Sequence, residues 1–117
     1  MKTITIAIDV DGTLIRNQEN FQDKAPVANE RIRNLLIILA SMKNTRIIVW
    51  SGVGELYARQ CAAAIGVAEY VDQYADKYYM GRQDGKPFFM PDITPDIAID
   101  DIQACDLGTL NLIVKEK

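Results

Sequence analysis

Apolar residues fall along this chain in short blocks separated by polar, glycine-bearing turns. Thr3 to Asp9 is β-branched and apolar, which predicts a buried strand over 3–9. Residues 14–26 are mostly polar and end in Ala25-Pro26, as a connecting loop does. Over 27–42 the period changes. Ile32, Leu35, Leu36 and Leu39 recur at helical spacing with Arg31, Arg33 and Asn34 off that face, so a helix is predicted until Lys43-Asn44 breaks it. Thr45 to Trp50 is a second apolar, β-branched block. Ser51-Gly52-Val53-Gly54 then turns into a predicted helix that begins near Val53, runs to about Ile65 and is closed by Gly66, a position glycine favours. Further blocks predict short strands at 68–71, 96–100 and 110–114, with a short helix at 102–106. Residues 77–95 lack a clear period, but Asp84-Gly85 lies between Tyr78-Tyr79-Met80 and Pro87-Phe88-Phe89, the pattern of a β-hairpin.

Strands that alternate with helices, three of them almost wholly apolar, indicate an α/β domain. The expected architecture is a three-layer sandwich around a five-stranded, mostly parallel sheet covered on both faces. Its 117 residues form one domain, with no internal repeat, linker or low-complexity segment. In such sheets ligands bind at the carboxyl ends of the strands. Asp9 and Asp11, Ser51, and Asp100 with Asp101 all fall at predicted strand ends.

Composition narrows the chemistry. The chain has no histidine, which removes Ser-His-Asp and Cys-His catalysis and every histidine-based zinc site. Acid–base work falls to carboxylates and lysines, and a metal here is hard and oxygen-ligated, which points to magnesium. Cys61 and Cys105 are far apart in apolar stretches and read as reduced core thiols. Formal net charge is -3 with no Lys/Arg block, so nucleic acid is not signalled as a partner by charge, although a localised basic face stays open. No apolar run approaches 18 residues, so no membrane span is expected. The first strand starts at once, leaving no room for a signal peptide, so a cytoplasmic location is expected.

Asp9-Val10-Asp11-Gly12-Thr13 is the most informative segment. Two carboxylates stand two residues apart where a buried strand opens into a glycine turn. Burying both is costly unless a cation or a reaction needs them there. One can serve as a nucleophile that also touches a metal, and the other as general acid and base. Ile47-Ile48-Val49-Trp50-Ser51-Gly52 ends a strand in a hydroxyl ahead of a helix start, suited either to phosphate capture or to capping the helix, two compatible roles. Ile97-Ala98-Ile99-Asp100-Asp101 ends a strand in paired acids.

Together these segments resemble motifs of the haloacid dehalogenase-like (HAD) superfamily, which is mostly phosphatases. Ile6 to Thr13 matches the first motif, Ile47 to Gly52 the second and Ile97 to Asp101 the fourth, so the resemblance spans residues 4–101. Trp50-Ser51-Gly52-Val53-Gly54-Glu55 followed by Tyr57-Ala58 looks like small bacterial and phage hydrolases of that superfamily. The resemblance implies a Rossmann-like fold and Mg2+-dependent phosphomonoester hydrolysis through an aspartyl-phosphate on Asp9, with Asp11 as general acid and base. It implies that Asp9, Asp100 and the Asp11 backbone carbonyl hold the ion, with Asp101 acting through water or by orienting the loop. Ser51, Gly52 and neighbouring amides bind phosphoryl oxygen, and Thr13 fixes the turn and donates to the nucleophile. The third motif is a lysine. Lys77 and Lys86 are both candidates, and Lys77 is favoured because it falls soon after a strand whereas Lys86 sits in a predicted hairpin tip.

Larger members of the superfamily carry a cap domain. Residues 14–26 and 53–76 are too short for one, so the chain resembles the capless type, whose members act on large substrates or use a partner subunit as the lid. The aromatic segment Tyr78 to Phe89 is then a small flap, a homo-oligomer contact, or a hairpin packed on its own domain. Two other readings compete: a phosphoacceptor signalling domain of the response-regulator kind, and a non-catalytic binding protein on the same scaffold. The first needs an acceptor Asp where Ser51 stands. The phosphorylated substrate itself is not legible from the residues.

Overall fold

The computed structural model describes residues 3–17, 25–91, 93–101 and 107–115. It is an α/β fold. Strands β1 (Ile4–Asp9), β2 (Thr45–Ser51), β3 (Gln73–Asp76), β6 (Ile97–Asp100) and β7 (Leu110–Ile113) form one all-parallel sheet in the order β3-β2-β1-β6-β7. Strands β4 (Tyr78–Gln83) and β5 (Lys86–Pro91) form a separate antiparallel hairpin, and helices α1 (Glu30–Ser41) and α2 (Glu55–Ala64) cross between β1, β2 and β3.

The pleat sorts the central strands into two faces. Ile6, Ile8, Ile47, Val49 and Ile99 pack with Leu36 of α1 and with Ala58, Cys61 and Ala62 of α2. Ala7, Ile48, Trp50, Ala75 and Ala98 point the other way and meet Leu107, with Tyr78 and Ile93 against them. The crossovers running outward from β1 to β2 to β3 place both helices on one face, as crossovers of a single hand require. The chain then returns to the far side of β1 for β6 and β7. The strand order therefore reverses between β1 and β6, and the crevice above their carboxyl ends is where open α/β sheets bind ligands. No helix among the described residues is long and apolar enough to cross a membrane.

Several boundaries differ from the sequence expectation, each for a local reason. Helix α1 begins at Glu30 rather than 27, because Val27 and Asn29 are tied to the turn after β1: Arg16 N–H donates to Val27 C=O and Asn29 N–H to Leu14 C=O. Helix α2 begins at Glu55 rather than near Val53, because Gly54 takes φ +139° and the Val53 N–H is held by Ser51 Oγ. Residues 68–70 form a 3-10 turn instead of the predicted third strand. Gly66 (φ +77°) stops α2 and Tyr70 N–H closes on Val67 C=O. The real third strand starts only after Asp72 docks on β2, giving its N–H to Ile47 C=O and accepting the Ile47 N–H on Oδ2. That strand lies at the sheet edge and buries only Ala75, so it lacks the apolar run that marks central strands. The sheet is wholly, not mostly, parallel. The hairpin forms as predicted, around a two-residue turn in which Asp84 (φ +54°) and Gly85 (φ +76°) both take the left-handed conformation that matches strand twist. Cys61 is a buried free thiol. Cys105 and the helix predicted at 102–106 lie outside the described residues.

Candidate active site

Strand β1 ends at Asp9 and turns at once. Leu14 N–H donates back to Asp9 C=O and Ile15 N–H to Val10 C=O, while the fully buried Val10 and Leu14 anchor the turn in the core. Gly12 sits at its apex with φ +76°. A Cβ there would collide with Asp101 Oδ2 and lie 2.8 Å from Asn17 Nδ2. The first turn thus closes against Asp101, just past β6, only because residue 12 has no side chain. Gly85 has a similar φ, but a Cβ on it would meet nothing within 4 Å. Gly85→Ala is therefore expected to cost about 1 kcal/mol, the backbone part alone, and Gly12→Ala about 2–4 kcal/mol. Denaturant midpoints of the two variants measure the difference.

The carboxyl ends of β1 and β6 are adjacent in the sheet, so Asp9, Asp100 and Asp101 converge. Each offers an oxygen within 4.8 Å of the others', and Asp9 and Asp100 are buried. Lys77 reaches into this cluster from the single residue between β3 and β4. Its ammonium lies 2.5 Å from Asp100 Oδ2 and 3.4 Å from Asp9 Oδ1, and the side chain is 3% exposed. Backbone pairing aims it there, since Lys77 N–H continues the β2–β3 ladder by donating to Ser51 C=O at 3.0 Å. The Tyr78 ring stands 5.1 Å from the same ammonium. Of the two candidate lysines, then, Lys77 joins the cluster, while Lys86 pairs with Gln83 beside the hairpin turn.

Electrostatics follow from crowding three carboxylates together, two of them paired with one ammonium. Burial, and then repulsion from Asp100, push the Asp9 carboxyl up to about 7; Lys77 pulls the other way and Asp101 adds to the rise. Burial also raises Asp101, helped by its hydrogen bond with Asp100. For Lys77, burial works against the charge, but the hydrogen bond to Asp100 and the fields of Asp9 and Asp100 outweigh it and hold the ammonium above the usual lysine range. The cluster remains short of positive charge. Its donors are all hard oxygens, a set that fits Mg2+.

The other predicted residues are placed around this centre. Thr13 Oγ1 donates to Asp9 Oδ2 at 3.3 Å, so its hydroxyl is directed at the carboxylate. Ser51 is buried at the end of β2, and Gly52 follows beside the Tyr78 ring. The Ser51 hydroxyl accepts the Val53 N–H, while the first amide of α2, Glu55 N–H, is capped at 2.7 Å by Asp76 Oδ1. Asp11 stands apart from the three clustered carboxylates, its Oδ1 accepting from the Tyr57 hydroxyl at 2.7 Å. Sequence reasoning assigns no role to Asp76 or Tyr57. Tyr57 carries a usable signal: it lies in the first turn of a helix that begins just past a site strand, and helical side chains lean toward the N-terminus.

Comparison of the chain with protein-family models, with curated proteins and with solved structures found no match.

Proposed function

We propose that this chain is a capless, Mg2+-dependent phosphomonoester hydrolase of the haloacid dehalogenase-like kind, working through an aspartyl-phosphate on Asp9. The observation that carries the reading is the buried Lys77 ammonium held between Asp9 and Asp100 in an acidic cluster at the point where the strand order reverses. A structural ion pair needs one carboxylate per ammonium. Two carboxylates on one ammonium, with a third clustered beside them where open α/β sheets bind ligands, fit a site that handles further positive charge and an anion.

In this proposal Asp9, Asp100 and Asp101 hold the ion, with the Asp11 backbone carbonyl completing the protein ligands. When bound, Mg2+ offsets negative charge on the transferring phosphoryl oxygens. An Asp9 oxygen attacks phosphorus as the bond to the leaving oxygen breaks, and Asp11 gives that oxygen its proton. Water then attacks the same phosphorus, Asp11 takes a proton from it, and the Asp9–phosphorus bond breaks to release inorganic phosphate. Lys77 steadies the charge on Asp9 and the phosphoryl group. Thr13 orients the Asp9 carboxylate, and Ser51 with the Gly52 amide receives a phosphoryl oxygen.

The test is hydrolysis of p-nitrophenyl phosphate by the purified chain with and without Mg2+. Turnover that needs the ion is expected. A stable acyl-phosphate without turnover would favour the signalling-domain reading instead, and neither labelling nor turnover would favour a binding role.

A further inference from the structure

The mechanism asks Asp11 to deliver a proton and later to collect one at the same place in space. A free carboxylate in a surface turn has two equivalent oxygens and rotates between them. Here they are not equivalent. Tyr57 Oη donates to Oδ1 at 2.7 Å, from the first turn of α2 and across 46 positions of sequence. One turn further along the helix from Tyr57, Cys61 is buried in the core.

We infer that Tyr57 is a positioning residue that occupies one oxygen of Asp11 and so dedicates the other, Oδ2, to proton transfer with the leaving group and the attacking water. The inference rests on the general acid–base reading of Asp11. A tyrosine hydroxyl both donates and accepts. When Asp11 is the acid, a donor already on Oδ1 leaves Oδ2 as the oxygen that carries the proton. That proton passes to the leaving oxygen as the phosphorus–oxygen bond breaks. When Asp11 is the base, Oδ2 takes the proton of the attacking water while Oδ1 stays in place.

Leaving-group chemistry tests this. Phenyl phosphate expels a poor leaving group that needs protonation, whereas p-nitrophenyl phosphate expels one that does not. Tyr57→Phe keeps the ring and removes only the hydroxyl. The expected result is a loss in kcat/KM of about 10- to 100-fold for phenyl phosphate and under about 3-fold for p-nitrophenyl phosphate, with KM nearly unchanged. On an Asp11→Asn background, where no carboxylic proton remains to be placed, Tyr57→Phe is expected to cost nothing further. Equal losses on the two substrates, or a loss that persists on the Asp11→Asn background, would show a merely structural role and overturn the inference. So would an unchanged Tyr57→Phe protein. Absence of turnover in the unsubstituted chain with both esters would instead overturn the phosphatase reading, and this inference with it.

Discussion

Asp9→Asn is expected to lose turnover by more than about 10⁴-fold while becoming more stable than the parent when no divalent ion is present. The turnover loss comes from removing the proposed nucleophile, and the gain in stability from electrostatics. Asp9 is buried beside Asp100 and Asp101, and its carboxyl is raised from 3.8 to about 7. Between those pH values the folded chain holds a proton that the unfolded chain has lost. Stability from this group is therefore full below about 3.8 and falls as pH rises through 7. At pH 8 the ion-free protein carries a penalty on the order of 2–4 kcal/mol that the neutral amide does not. Thermal melts from pH 5 to 8 should show the parent losing stability and Asp9→Asn staying nearly flat. Mg2+ should restore the parent at pH 8 and act less on the variant. A parent that is most stable at pH 8 without the ion would contradict the electrostatic account. Hydrolysis by the variant near the parent rate would remove Asp9 from the nucleophile role.

Lys77→Met is expected to be the most damaging single change to stability. Methionine matches the length of the lysine stem but leaves Asp9 and Asp100 buried with no counter-charge. Removing one partner of a buried ion pair costs on the order of 3–5 kcal/mol. Turnover should fall with it. Lys86→Ala, beside the hairpin turn, is expected to change stability by less than about 0.5 kcal/mol and to leave most activity. Adding Asp100→Asn to Lys77→Met should recover part of the lost stability, because the remaining repulsion is smaller, and urea midpoints of the single and double variants read this coupling. Lys86→Ala being the more harmful substitution would transfer the lysine's role to Lys86.

Much of this architecture is legible in the residues. The central strands β1, β2 and β6 are apolar on both faces, as buried parallel strands must be, and their ends coincide with Asp9, Ser51 and Asp100. The pattern misplaces edge strand β3, because an edge position relaxes the apolar requirement and leaves little to read. It also starts both helices early: the Asn29 amide is held by Leu14 C=O, a contact set by folding, and the Val53 amide by Ser51 Oγ two residues back, a local turn the helical period does not show.

Sequence by itself determined the α/β class, the turn at Asp9-Val10-Asp11-Gly12-Thr13, the acid pair at the end of β6 and the all-oxygen chemistry of a chain without histidine. These are matters of local pattern and composition. Only the tertiary structure decided which groups meet. Strand order made β1 and β6 neighbours and so joined Asp9 to residues more than ninety positions away. The β2–β3 ladder aimed Lys77 rather than Lys86 at them, and α2 brought Tyr57 onto Asp11. Such contacts depend on packing across the sheet; position along the chain favours Lys77 and hints at Tyr57 but fixes neither contact.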